Sequence, residues 1–79
     1  MEKEKLIYDL CKGKNIEDCE NILKKNFKSV RFVDEKIDDG TDYEGIFSML
    51  QSYDVDEFYV RLFYWNDDYI VIDVDVKKQ

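Results

Sequence analysis

Carboxylates are the side chains with the most chemistry to offer in this sequence. There are 19 Asp and Glu against 12 Lys and Arg in 79 residues, a net charge of −7. Histidine is absent, which removes His-dependent triads, His-ligated metal sites and histidine pH switches. Hard oxygen ligands stand close together at Asp38, Asp39, Asp42 and Glu44, the residue types of a calcium loop. Counting from Asp34 or Asp38 as position one puts no glycine at position six, so the EF-hand pattern fails and no metal site is expected. A carboxylate pair for glycoside hydrolysis arises by chance in so acidic a chain, and a small domain has little room for a cleft. The three glycines, at 13, 40 and 45, form neither a P-loop nor a dinucleotide fingerprint. Cys11 and Cys19 match no zinc or redox spacing. Both fall on apolar stripes, where a thiol is not activated. They read as two buried helix thiols, with one disulfide between the helices as the alternative. No catalytic residue and no cofactor is expected.

The acids are unevenly placed. Residues 1–33 carry eight bases and six acids, whereas residues 34–79 carry four bases and thirteen acids, net −9. Between Lys36 and Arg61 there is no basic residue, but Asp38, Asp39, Asp42, Glu44, Asp54, Asp56 and Glu57 all lie there. Asp67, Asp68, Asp73 and Asp75 follow. Such a field repels phosphates and anionic lipids and attracts a basic surface. A solubilising surface mixes its signs, so the asymmetry favours a docking face for a basic groove. Direct binding to nucleic acid or membrane is not expected.

Two helices and a small sheet must position these groups. Over residues 2–12, Leu6, Ile7, Leu10 and Cys11 recur at helical spacing. Gly13 is a natural stop and Asn15 a natural N-cap. A second helix follows over 16–27, with Ile16, Cys19, Ile22, Leu23 and Phe27 as its stripe, and the short connection predicts a hairpin. From Ser29 the period falls to two, and the strand runs out in the turn signal Asp38-Asp39-Gly40. Over 41–53, Thr41 and Glu44 have capping-box spacing and Tyr43, Ile46, Phe47, Leu50 and Tyr53 fall at helical intervals, so a helix is favoured. Gly45 speaks for a hairpin and a strand instead. Strands at 57–65 and 69–77 flank Asn66-Asp67-Asp68. A three-residue loop pairs Trp65 with Tyr69, Leu62 with Ile72, Val60 with Val74 and Arg61 with Asp73. The core face is then Phe58, Val60, Leu62, Tyr64, Ile70, Ile72, Val74 and Val76. The class is α+β, a single domain over 1–79 with a mainly antiparallel sheet in the order α-α-β-α-β-β, or α-α-β-β-β-β if 41–53 is a strand.

The opposite face of the 57–65 strand carries Tyr59, Arg61, Phe63 and Trp65. Tyr, Trp and Arg are enriched at binding hot spots. Either a helix covers this face or a partner or second copy does. No run approaches the roughly 18 apolar residues of a membrane span. The patch Leu6 to Cys11 is interrupted by Asp9, a poor signal-peptide core, so a cytoplasmic protein is expected.

In size, in the acidic balance of residues 34–79 and in clusters such as Asp38-Asp39 and Asp67-Asp68, the chain resembles small acidic phage inhibitors, among them anti-CRISPR proteins and other DNA mimics. It is also similar to the acidic immunity proteins that neutralise basic nuclease toxins. Both resemblances imply a compact cytoplasmic module that blocks a nucleic-acid-handling protein. They transfer no residue roles. The expectation is a non-enzymatic module whose acids meet a basic groove and whose Tyr59, Phe63 or Trp65 anchors the contact. A homodimeric interaction domain is the alternative.

Overall fold

The computed structural model describes residues 2–79, the side chains of residues 39–43 excepted. Helix α1 spans Glu2–Cys11, with Glu2 and Glu4 in its first turn, where acids oppose the positive end of the helix dipole. Gly13, at φ +81°, takes the left-handed conformation that ends it. Asn15 then opens helix α2, Ile16–Asn26, its Oδ1 accepting the Glu17 amide at 2.9 Å. Replacing Asn15 by alanine leaves that amide unsatisfied and should cost about 1 kcal/mol, read as a lowered urea midpoint with an unchanged slope.

Four strands follow: β1 Val30–Tyr43, β2 Ile46–Val55, β3 Phe58–Trp65 and β4 Val71–Lys78. They form one antiparallel sheet in sequence order, each strand beside its chain neighbour. The α+β class and the two leading helices are as expected; the favoured helix over 41–53 is not there. Residues 30–43 are one long strand, and the chain turns at Glu44–Gly45 rather than at Asp38-Asp39-Gly40. Both turn residues have positive φ, +56° and +82°, the type I′ geometry that suits a two-residue hairpin. β1 continues through its acidic stretch because register shifts on either side of Val33 and Asp38 absorb extra residues.

The β3–β4 register also differs from the expected one. Arg61 faces Asp75 and Leu62 faces Val74. Tyr69 is not a strand residue but sits at φ +63° in a longer loop, its amide bonded to the Trp65 carbonyl at 2.9 Å. That displaces β4 by one residue, and a bulge at Ile72 displaces it by a second. The bulge leaves Val71 buried against the helices, with Ile70 and Ile72 half-buried. The remaining expected core positions lie on the inner face: Phe58, Val60, Leu62, Tyr64 and Val74 are buried and Val76 half-buried.

Both helices cover that inner face. Ile7, Cys11, Ile16, Cys19, Leu23 and Phe27 pack with Tyr53, Val55, Phe58, Val60, Leu62, Tyr64, Val71 and Val74 in one core. Leu6, expected in the α1 stripe, is exposed. Two helices of 10 and 11 residues reach about 15 Å each, whereas β2 with its 10 residues reaches about 33 Å. The sheet therefore outruns its helical layer in a molecule of 39 × 21 × 20 Å. The overhang carries the β1–β2 hairpin. Among the described residues, no helix is long and apolar enough to cross a membrane.

Candidate protein-docking surfaces

The register divides the expected site residues into three groups. The first is the outer sheet face, which no helix covers. Across it, Tyr59 lies between Asp54 and Lys77, Arg61 between Ser52 and Asp75, and Phe63 between Leu50 and Asp73. Trp65 faces Ser48 at the upper end. Tyr59, Arg61 and Phe63 are half-buried among their neighbours, and Trp65 is 38% exposed. Leu50 is buried although it lies outside the core beneath the helices. This face is neutral rather than acidic. Arg31 pairs with Asp54, and Arg61 pairs with Asp75 through two bonds while its guanidinium lies 5.7 Å from the Phe63 ring centre. Lys36 and Asp34, opposite Leu50 and Ser52, share this face on β1, and Lys77 and Asp73, opposite Tyr59 and Phe63, share it on β4. Asp54, Asp73 and Asp75 are thus partnered or balanced residues of a mixed surface. That is a departure from their expected place in one acidic field.

The second group is the overhanging end. Asp38, Glu44, Asp67 and Asp68 converge there because the β1–β2 hairpin and the β3–β4 loop are tied together. Asn66 makes the tie: its Oδ1 accepts the Phe47 amide at 2.8 Å, its Nδ2 donates to the Gly45 carbonyl at 2.9 Å, and its own amide bonds the Phe47 carbonyl at 3.0 Å. The connection between the helices arrives at the same end. Gly13 and Lys14 exchange backbone bonds of 2.9 and 2.8 Å with Val71, and the Ile16 amide bonds the Tyr69 carbonyl at 2.7 Å. Glu17 and Asp18, in the first turn of α2, therefore join the acids, and the exposed Lys14 comes with them. Asp38 accepts from the Ser48 hydroxyl at 3.2 Å; Asp67 and Asp68 hold loop amides. Among the described residues, no salt bridge engages Asp38, Glu44, Asp67 or Asp68. The backbone of Asp39 and Asp42 runs through this end in β1, but their side chains lie outside the described residues.

The third group sits at the opposite end. Asp56 fixes the start of β1 by accepting the Ser29 amide at 2.9 Å. Glu57 reaches Lys3 at 3.9 Å, and Asp54 also accepts from Gln79 at 2.7 Å. Lys24, Lys25, Lys28, Lys77 and Lys78 share this end. Asp54, Asp56 and Glu57 thus stand apart from the acids of the overhang, in structural roles and among bases.

One cluster escaped the sequence reading. On the inner face beyond the helices, Glu35 accepts hydrogen bonds from the Tyr64 hydroxyl and from Gln51 at 2.7 Å, and Gln51 in turn accepts from Tyr53 at 2.7 Å. The Tyr64 bond, then the Gln51 bond, hold the Glu35 carboxyl below the usual Glu range, against a smaller opposing effect of burial. Burial first, then Glu35, raises the Tyr64 phenol. A depressed carboxyl stabilises the fold above its unfolded pKa and loses that contribution as the pH falls through its folded value. Glu35 is exposed, so the effect is small. Glu35→Gln should narrow the gap in urea midpoint between pH 7 and pH 3 relative to the parent chain. An unchanged gap would assign the acid sensitivity elsewhere. No signal at Glu35 alone marks this cluster; only the β1–β2–β3 register brings its members together.

Among the described residues there is no enclosed pocket and no group of three Cys, Asp or Glu side chains able to hold a metal ion. Cys11 and Cys19 are free and buried. No protein-family model, no curated protein and no solved structure matches this chain.

Proposed function

We propose that the chain is a non-enzymatic, acidic protein-binding module. Its overhanging end occupies the basic, nucleic-acid-binding surface of a target such as a nuclease or a CRISPR effector. The observation that carries this reading is the gathering of Asp38, Glu44, Asp67 and Asp68 at one end of the sheet, with no salt bridge to any of them among the described residues. A duplex presents about one charge per 1.7 Å of its axis, and a groove built for that array accepts carboxylates in place of phosphates. Trp65, at the same end and 38% exposed, supplies the apolar anchor that slows dissociation. Immunity to a nuclease toxin is one form of the same activity.

The immobilised chain, washed with bacterial lysate and a rising salt gradient, should release a basic nucleic-acid-binding protein at moderate salt. The free chain should then displace duplex DNA from that protein in competition. Affinity that stays flat between low and high salt, or DNA that stays bound at saturating chain, would remove the reading.

The neutral outer face favours a second reading. Uncovered, with Phe63 beside Leu50 at its centre and charges around them, it has the composition of a protein interface and would serve a homodimer. Self-association that persists in high salt and fails in Phe63→Ala is the expected mark. A monomer at all concentrations would dispose of it.

A further inference from the structure

Cys11 closes α1 and Cys19 lies one turn into α2. The helix hairpin folds them onto each other. Both are completely buried in the same core. The Cys19 Sγ is 3.9 Å from the Cys11 carbonyl oxygen and 3.5 Å from that of Asn15, so it lies against the Cys11 backbone. For packing alone, any small apolar pair would serve here.

We propose that Cys11 and Cys19 form a dithiol modification site, oxidised by a small-molecule disulfide such as oxidised glutathione to an intramolecular disulfide. Cys19 attacks a sulfur of the oxidant as thiolate, the S–S bond of the oxidant breaks, and one small thiol leaves with the proton Cys19 gave up. Cys11 then attacks the Cys19 sulfur of the mixed disulfide and loses its own proton, and the second small thiol leaves. Two protein thiols are oxidised to one disulfide, and one small disulfide is reduced to two thiols. Cys19 attacks first because its Cys11 neighbour lowers the Cys19 thiol, while Cys19 and burial push the Cys11 thiol up.

Burial makes access depend on transient opening of the hairpin, a local event rather than global unfolding. The connection at residues 12–14 is exposed. Gly13 and Lys14 are bonded to Val71 and Ile16 to Tyr69, so the oxidised hairpin also holds the base of the Asp67–Asp68 loop. The disulfide closes a short ring between adjacent helices and takes entropy from the unfolded chain.

The test uses the full reduced chain in glutathione buffers of increasing oxidation at neutral pH, quenched with a thiol-blocking reagent. Intact mass should reveal one monomeric product lighter by two hydrogens, and peptide mapping should join Cys11 to Cys19. The product should melt about 10 °C higher, with slower hydrogen exchange at Gly13, Ile16 and Val71, all reversed by dithiothreitol. In Cys11→Ala the mixed disulfide should be trapped on Cys19. Persistent glutathione adducts on the parent chain, disulfide-linked dimers, or thiols that stay reduced in the native chain while the urea-unfolded chain oxidises would each overturn the proposal.

Discussion

Reversing Asp38, Glu44 and Asp67 to lysine should slow association with the basic partner by about 10- to 100-fold at low salt. The control is a chain with Glu2, Glu4 and Glu57 reversed, at the far end of the molecule. Both variants carry the same net charge, so any difference between them reports position. Stopped-flow association over a range of salt should separate them. The first should lose most of its salt dependence, the second should keep most of it, and at high salt the two should converge with the parent. Equal rates for the two variants would mean that only total charge matters, and the overhanging end would lose its special standing. The reversals are chosen to spare Asp68, whose carboxylate holds the Ile70 amide, and Asp56, which fixes the start of β1.

Leu62→Ala should be the most damaging single change to the fold. Leu62 is fully buried in β3, between Gln51 of β2 and Val74 of β4, and belongs to the core beneath both helices. Truncation removes the transfer energy of the lost methyl groups and leaves a cavity that a sheet centre relaxes poorly around, about 2–5 kcal/mol together. A domain of this length holds roughly 4–12 kcal/mol in all. Urea unfolding should therefore move far to the left, and at 37 °C a measurable share of the chains should be unfolded. The same truncation at Ile37, 56% exposed on the overhang, should cost under about 0.5 kcal/mol. If the two variants unfolded at the same urea concentration, the core would not lie where the helices meet the sheet.

The helix hairpin was legible because each of its signals is local: acids in the first turn, Gly13 as stop, Asn15 as cap, and an apolar stripe for each helix. Residues 41–53 were misread because β2 is buried on both sides, by the helices on the inner face and by side chains of the flanking strands on the outer one. Leu50 and Ser52 are buried on the outer face while Tyr53 and Val55 are buried beneath the helices, so the alternation that marks a strand disappears and a helical spacing emerges by coincidence. Gly45 was the truthful signal, the second residue of a turn that needs positive φ twice. The β3–β4 register failed at Tyr69, an aromatic residue in a conformation that such residues rarely adopt. Of the expected site residues, Asp67 and Asp68 lie in a loop between two strands, as expected. What escaped was the grouping of the acids, since Asp75 and Asp54 meet arginines only through cross-strand pairing, and Asp67 approaches Glu44 only through the Asn66 tie.

Carboxylates outnumber bases at one end of the molecule, where Lys14 also lies, and lysines gather at the other around Asp54, Asp56 and Glu57. This uneven division of charge makes the protein an electric dipole as well as an anion. A torque acts on such a molecule in the field of a charged surface before any contact forms. Toward a positively charged surface it turns acid end first, so the share of encounters that begin in that orientation exceeds what random tumbling would give. An anion-exchange matrix would feel the same torque and should retain the chain more strongly than an isomer with its −7 charge spread evenly.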